Sequence, residues 1–288
     1  MADGVEISVL RSAKGAVVRS GDRLGVLYSG SLVNGSGVPF DANYDFTTFS
    51  VVPARQLFSF TLGSGQVIQG WDQALVGRRL GEVLDLTIPA ALAYGSVGAP
   101  PAIPPDSPLR FRVELVGAIP AGASKPIYPS YGELGLPKKL TAQLEALKLK
   151  FGGSKTGTDA DDTITGGAAK DLLIGLGGQD LIQGGGSADV LIGGSGSNRF
   201  VYADLGDSPA QRGRQDQILG FQRSGDVIDL SALGDAFTYI GKRAFSRDAG
   251  EVRFAGGALQ LDADGNGRAD LEILLPGVAR FSGTSLLL

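Results

Sequence analysis

Between Gly157 and Val201 the chain repeats itself every nine residues, and this repeat constrains the fold more than any other feature. The five nonads are Gly157-Thr-Asp-Ala-Asp-Asp162-Thr-Ile164-Thr, Gly166-Gly-Ala-Ala-Lys-Asp171-Leu-Leu173-Ile, Gly175-Leu-Gly-Gly-Gln-Asp180-Leu-Ile182-Gln, Gly184-Gly-Gly-Ser-Ala-Asp189-Val-Leu191-Ile and Gly193-Gly-Ser-Gly-Ser-Asn198-Arg-Phe200-Val. Glycine opens each one, and a carboxylate holds the sixth place in four of them, with Asn198 in the fifth. The eighth place is always large and apolar. Glycines permit a tight turn with carbonyls pointed inward. The triplet after each turn is a short strand with one inward side chain. Two nonads make one coil, so residues eighteen apart stack: Asp162 on Asp180, Asp171 on Asp189, Asp180 on Asn198. Stacked carboxylates repel one another and call for a cation. The chain has no His and no Cys, and hard oxygen donors alone select Ca2+ over zinc or a redox metal.

The same two absences remove disulfides, thiolate chemistry and every His-dependent catalytic scheme. A net charge of -4 argues against a nucleic-acid partner. No apolar run approaches the roughly 20 residues of a membrane span. The start, Met1-Ala-Asp-Gly-Val, has neither a basic region nor an apolar one, so no amino-terminal signal peptide is expected.

The length predicts about two domains. Residues 1–119 read as one domain. Alternation at Leu24-Val26-Tyr28, at Leu84-Leu86-Ile88 and throughout 109–116 predicts strands with one buried face. Residues 120–154 carry Pro120, Pro126, Pro129, Pro137 and most of their charge as Lys. They read as a linker with a short amphipathic helix over 140–149, solvated on its basic face; a docking helix is the lesser reading. Residues 155–288 hold the repeat and a carboxyl-terminal region beyond it.

The nonads resemble the RTX repeat, the parallel β-roll of type I secreted bacterial proteins. The resemblance implies an all-β parallel roll holding several structural Ca2+ ions. In that family an ion sits between stacked turns, on carbonyls of the second and fourth places of one and the first and third of the next, with both sixth-place side chains. Carried over, one site is Thr158, Ala160 and Asp162 with Gly175, Gly177 and Asp180. A second is Gly167, Ala169 and Asp171 with Gly184, Gly186 and Asp189. A third is Leu176, Gly178 and Asp180 with Gly193, Ser195 and Asn198, weaker because Asn198 brings no charge. A fourth pairs Gly185, Ser187 and Asp189 with Tyr202, Asp204 and Asp207. Ala168 and Ala169 replace family glycines.

Residues 201–288 are similar to the region after the roll in serralysin-type proteases, through Asp216-Gln-Ile-Leu-Gly-Phe221, Gly225-Asp-Val-Ile-Asp-Leu-Ser231 and Leu261-Asp-Ala-Asp-Gly-Asn-Gly-Arg-Ala-Asp270. The resemblance implies a β-sandwich-like end. Without His the zinc chemistry of those proteases is excluded, and only an export module is expected. The apolar end, Gly283-Thr-Ser-Leu-Leu-Leu288, is like an uncleaved carboxyl-terminal signal, which implies the type I secretion apparatus as a partner and an extracellular address. Asp262, Asp264, Asn266 and Asp270 read either as part of a calcium loop or as a plain Gly-Asn turn.

In the first domain, Leu62-Gly-Ser-Gly-Gln-Val67-Ile68-Gln-Gly-Trp71 stands with Tyr28-Ser-Gly, Phe40-Asp41, Gly81-Glu82, Ile88-Pro89, Ala93-Tyr94-Gly95, Ile103-Pro104-Pro105 and Phe111-Arg-Val-Glu-Leu115. Over residues 1–118 this closely resembles the FKBP-type peptidyl-prolyl isomerases. The implied fold is α+β, an antiparallel sheet wrapped on a short helix. The implied pocket has Trp71 as its floor, Tyr28, Phe40, Phe58, Val67, Ile68, Ile103 and Phe111 as walls, and Asp41 and Tyr94 as polar groups. Phe58 is taken over Phe60 across a stretch from Asp41 that is longer than in minimal members. Ala99 stands where some members have His, and Ala102 replaces a larger aliphatic group. The implied partners are proline-containing polypeptides and macrolides of the FK506 or rapamycin type.

Rotation about an X-Pro bond faces a barrier of roughly 18–20 kcal/mol and needs no nucleophile or metal. An apolar pocket favours the twisted, less polar amide, with Tyr94 Oη and the Ile68 backbone on the substrate carbonyls and Asp41 as an orienting group. Two functions are compatible with these residues: a secreted, calcium-stabilised isomerase, or a non-catalytic extracellular calcium-dependent binding protein with a degenerate pocket.

Overall fold

A computed structural model describes residues 4–52, 55–151, 153–234 and 236–288. It forms two compact units, Met1–Pro137 and Lys138–Leu288. The leader reading at Met1-Ala2-Asp3 lies outside the described residues. Among the described residues no helix is long and apolar enough to cross a membrane.

The first unit is built from β1 (Glu6–Arg11), β2 (Arg23–Leu32), β3 (Asp41–Ala42), β4 (Tyr44–Asp45), β5 (Ser50–Val51), β6 (Phe58–Thr61), α1 (Gln69–Leu75), β7 (Val83–Ile88) and β8 (Leu109–Ile119). Its main sheet runs β1-β7-β8-β2-β3, with β6 also on β2, and every pairing is antiparallel. The expected alternation holds in β8: Leu109, Phe111, Val113 and Leu115 are buried, and Arg110 and Arg112 point outward to Asp85. Helix α1 lies against the buried face, where Trp71, Ala74 and Leu75 join the core. Gly70 allows this approach, because a Cβ there would lie 2.4 Å from Ile88 Cγ2.

The long stretch after Asp41 folds into the β4–β5 hairpin. Asn43 pins it down from a buried position. Its Oδ1 accepts from Tyr28 N at 2.7 Å, and its Nδ2 donates to the carbonyls of Val26 at 3.0 Å and Gln56 at 3.1 Å.

The stretch read as a spacer divides at Pro137. Its first half folds back on the first unit: Ile127 bridges Ala118, Ala121 N donates to Asp22 Oδ1, and Lys14 N donates to the Glu133 carbonyl. Apolar Tyr128 and Leu134, set against Gly117 and Gly81, supply the reason. The second half forms α2 (Lys138–Leu147), with Leu144 buried and both leading lysines exposed.

The second unit is a roll. Its strands are β9 (Gly153–Thr156), β10 (Thr163–Thr165), β11 (Asp171–Leu176), β12 (Leu181–Gln183), β13 (Val190–Gly194), β14 (Arg199–Val201), β15 (Asp216–Ile218), β16 (Val227–Asp229), β17 (Thr238–Tyr239), β18 (Glu251–Ala255), β19 (Ala258–Asp262), β20 (Leu271–Leu274) and β21 (Leu286–Leu287). From β9 to β17 successive strands alternate between two sheets, one ordered β10-β12-β14-β16-β21 and the other β17-β18-β19-β20-β15-β13-β11-β9. The predicted eighteen-residue coil is the register found: Ile164 pairs with Ile182, Ile182 with Phe200 and Leu173 with Leu191, all in parallel. These five side chains are fully buried. Beyond Val201 the coil lengthens, so that Leu191 pairs with Ile218 and Phe200 with Ile228. An antiparallel meander of β18, β19 and β20 comes next. The apolar end is docked in part: Leu286 pairs with Ile228, while Leu287 and Leu288 are exposed.

Asn43→Ala is expected to lower the unfolding free energy of the first unit by about 2–3 kcal/mol, because it strands two backbone groups of β2 and the Gln56 carbonyl. Urea denaturation followed through Trp71 fluorescence checks this; a midpoint equal to that of the wild type contradicts it.

Candidate functional site

A cavity of about 160 Å³ opens above Trp71, lined by Tyr28, Phe40, Asp41, Phe58, Gln66, Val67, Ile68, Tyr94 and Phe111. The sheet supplies one wall, since Tyr28 on β2 and Phe111 on β8 face the same side. Gly30 keeps that wall open, because a Cβ there would stand 2.4 Å from Phe111 Cε1. The indole is boxed by edges. Tyr28 meets it at 5.6 Å and 81°, Phe111 at 5.2 Å and 82°, and Phe58 at 6.2 Å and 74°. Edge-to-face contacts of this kind fix ring orientation. Asp72, next in the helix, accepts from Gly63 N and Gly65 N and so ties the preceding turn to α1. The Trp71 indole N–H is buried and has no acceptor among the described residues.

Phe58, partly exposed, lines the cavity, whereas Phe60 is buried in the core. Ile103, expected as a wall, is buried in the core cluster that also holds Tyr28, Trp71 and Phe111, and it is not among the residues lining the cavity. Reciprocal backbone hydrogen bonds between Ala99 and Ile103 turn it inward, and Ala102 stays exposed. Two contributors have no signature in the sequence. Gln66 lines the mouth while its Oε1 accepts from Thr61 N. Arg55 sits 3.4 Å from Asp41 Oδ1.

Tyr28 Oη donates to Asp41 Oδ2 at 2.5 Å. Burial, and then that carboxylate, raise the Tyr28 pKa well above the usual phenol range. The site is thus an aromatic box with one polar edge, suited to a compact uncharged group entering against a planar floor. Some polar contact is supplied by Asp41 and by Tyr94, which is 42% exposed.

In the roll, the sixth-place side chains stack as the repeat predicts. Asp162 N donates to Asp180 Oδ1, Asp171 N to Asp189 Oδ1 and Asp180 N to Asn198 Oδ1, at 3.0, 2.8 and 3.1 Å. Second-place carbonyls also meet the turn above: Thr158, Gly167 and Leu176 accept from Gly177, Gly186 and Ser195. The turns fall into two kinds. In those opened by Gly157 and Gly166, the carboxylate closes on its own turn, with Asp162 Oδ2 accepting from Thr158 N and Asp171 Oδ2 from Gly167 N; Ala160 N donates to Thr158 Oγ1. In those opened by Gly175, Gly184 and Gly193, the second and fourth places are left-handed: Leu176 and Gly178, Gly185 and Ser187, Gly194 and Gly196, with φ from 80 to 108°. For Leu176 this conformation costs about 1–2 kcal/mol.

The left-handed turns leave carboxylate oxygens bare. Asp180 Oδ2 and Asp189 Oδ2 are buried with no hydrogen-bond partner among the described residues, and so is Asp216 Oδ2. Burial, followed by repulsion from neighbouring carboxylates, raises Asp180 and Asp189 to about 7 and Asp216 to about 8. A hard cation removes both penalties, so this donor set fits Ca2+.

Asp216 corrects the fourth expected site. It is Asp216 whose Oδ1 accepts from Asp189 N at 2.8 Å, 27 residues on. Asp207 closes its own turn instead, accepting from Ala203 N and Asp204 N. The cause is the lapse of nonad spacing after Val201. Tyr202 is buried, and its phenol is held protonated by burial and then by Asp216. Asp262, Asp264 and Asp270 bring carboxylate oxygens within 4.8 Å of one another, but backbone amides of Gly265, Asn266 and Gly267 already satisfy Asp262.

An aromatic box on an antiparallel sheet, joined to a roll of carboxylate-bearing turns, defines a proline-bond isomerase module followed by an RTX-like module. Comparison with known proteins agrees. A family model described as FKBP-type peptidyl-prolyl cis-trans isomerase matches residues 15–116, and one described as Peptidase M10 serralysin C terminal matches residues 157–280. FK506-binding protein 1A of Neurospora crassa is 42% identical over 116 residues, which is 40% of this chain and 88% of that protein. Human peptidyl-prolyl cis-trans isomerase FKBP2 is 46% identical over 98 residues, 34% of this chain and 62% of that protein. FK506-binding protein 4 of Rhizopus delemar is 41% identical over 114 residues, 40% of this chain but 27% of that protein. The chain belongs to the FKBP-type peptidyl-prolyl cis-trans isomerases and carries a serralysin-type carboxyl-terminal domain.

Tyr28→Phe is expected to leave the tyrosinate absorbance developed by about pH 11 unchanged, because Tyr28 is held protonated there while an unperturbed phenol ionises near 10. Loss of one phenol's worth of that signal contradicts the Tyr28–Asp41 geometry.

Proposed function

We propose that this chain is an exported prolyl isomerase whose carboxyl-terminal roll is held by structural calcium, acting on proline-containing polypeptides outside the cell. The observation that carries the isomerase reading is the open cavity over Trp71, walled by Tyr28, Phe58 and Phe111. A prolyl ring fits against the indole. Amide resonance is broken on the way to the twisted state, which has less charge separation than the planar amide. Apolar walls stabilise the twisted state relative to the planar one, which is selective binding of the transition state. Tyr94 Oη and the Ile68 backbone are assigned to the substrate carbonyls. Asp41, held between Tyr28 and Arg55, orients the wall and takes no proton from substrate. The same cavity is the expected site for FK506-type macrolides.

Asp180 and the Asp189–Asp216 pair are the leading calcium ligands, supported by their bare buried oxygens, and the expected carbonyl donors are those of Leu176, Gly178, Gly185 and Ser187 in the same left-handed turns. Bound calcium supplies charge neutralisation to the stacked turns and no chemistry. The serralysin-type domain supports passage through a type I secretion apparatus.

A protease-coupled assay on an Ala-Leu-Pro-Phe peptide tests the activity. Trp71→Ala is expected to reduce kcat/KM by about tenfold or more, equivalent to at least ~1.4 kcal/mol of transition-state binding. A wild-type rate no faster than the uncatalysed one ends the isomerase reading in favour of a pure binding module. Chelation is expected to leave that rate within about twofold, since no pocket residue is a candidate ligand. Calorimetric titration of chelated protein with Ca2+ should show binding that Asp189→Asn weakens; no heat of binding in the wild type removes calcium from this account.

A further inference from the structure

We propose that Asn198 closes the last coil of the roll without a cation, its side-chain amide standing where the preceding turns present a carboxylate oxygen. The placement is shared. Asn198 Nδ2 lies 2.4 Å from where a Cβ on Gly193 would stand; Asp180 Oδ2 lies 2.0 Å from the same point on Gly175, and Asp189 Oδ2 2.6 Å from that on Gly184. The chemistry differs. Asp180 Oδ2 and Asp189 Oδ2 have no donor, whereas Asn198 Nδ2 donates to Asp226 Oδ1 at 3.0 Å. Asn198 N donates to the same oxygen, and Asp226 Oδ2 accepts from Gln222 N. Every oxygen of this step is therefore satisfied, although both residues are buried.

The orientation of the amide is fixed from both ends. Its Oδ1 accepts from Asp180 N, and its NH2 faces a carboxylate; the reverse orientation would set donor against donor and oxygen against oxygen. An amide nitrogen has no lone pair to offer calcium. Asn198 thus drops out of the third expected ion site, leaving Asp180 as its carboxylate. In the same step, Arg199 Nε donates to Asp229 Oδ2 at 2.7 Å, a second ion-free link between β14 and β16.

The consequence, which rests on the calcium reading above, is a graded response to calcium. The steps at Asp180 and at the Asp189–Asp216 pair require the ion, while the β14–β16 step holds without it and offers a preformed edge on which the others re-form.

Hydrogen exchange read by mass spectrometry on the full chain tests this, with excess EGTA or with Ca2+. In EGTA, wild-type peptides covering 226–229 are expected to stay protected while those covering 171–176 exchange faster. Asn198→Asp sets two buried carboxylates face to face, so protection of 226–229 in EGTA should fall by about tenfold or more and return with Ca2+. The exchanged pair Asn198→Asp with Asp226→Asn rebuilds the amide–carboxylate link with its partners reversed, and should restore protection in EGTA to within about twofold. The proposal is overturned if wild-type 226–229 loses protection together with 171–176, if Asn198→Asp is as protected as wild type in EGTA, or if the exchanged pair fails to recover. Absence of any calcium response in wild type defeats the calcium reading alone, because the two variants still decide whether the link exists.

Discussion

A carboxylate oxygen buried without a donor is the constraint on which the roll depends. Burial alone penalises such a charge by several kcal/mol unless something pairs with it. The roll stacks these groups on one another and spends its backbone amides on one oxygen of each, as at Asp180 and Asp189. The second oxygen is left for something the chain does not encode. The left-handed residues at Leu176 and Ser187 belong to the same turns: a leucine and a serine accept a conformation natural to glycine, and the Leu176 carbonyl accepts from Ser195 N of the turn above.

The isomerase unit meets the opposite problem. Its site must remain a void in an otherwise packed core. Gly30 does this by subtraction beside Phe111, while Gly70 lets the helix that carries Trp71 pack close on Ile88. The aromatic rings hold one another by edges, so the walls stand without filling the space. The hairpin after Asp41 then carries Arg55 to the rim, and Asn43 anchors that hairpin to the central strand.

Much of this was legible because it is periodic. An apolar side chain at every eighth place of a nonad set the coil length, and strict alternation in 109–116 set the face that bears Phe111. The aromatic pocket came from motif resemblance, and all of its expected residues except Ile103 line the cavity. What could not be read was set by interruption. Asp216 lies beyond the nonads, so no spacing rule points to it. Ile103 turns inward through a local pair of backbone bonds with Ala99, which composition does not announce. Residues 121–137 look like a linker by their prolines, yet Tyr128 and Leu134 find two glycines to cover. Gln66 reaches the pocket mouth only because its side chain caps a strand amide, that of Thr61.

The two units differ in how they treat buried charge, and this decides what calcium can control. In the first unit each buried charge has its partner in the chain: Arg11 donates to the Gly81 carbonyl and pairs with Glu114, and Asp22 accepts from Arg19 N and Ala121 N. Its fold therefore asks nothing of the solvent's ions. Among the described residues, the unpartnered carboxylates all belong to the second unit. Calcium bound as proposed would, by linkage, make the second unit's stability rise with the logarithm of the ion concentration, while the first unit's stability would stay flat. Catalysis by desolvation and shape has no charged group to titrate against the ion either. A chain built this way can have an ion-dependent fold in one half and an ion-indifferent activity in the other, with Asn198 marking, inside the roll itself, one step free of that dependence.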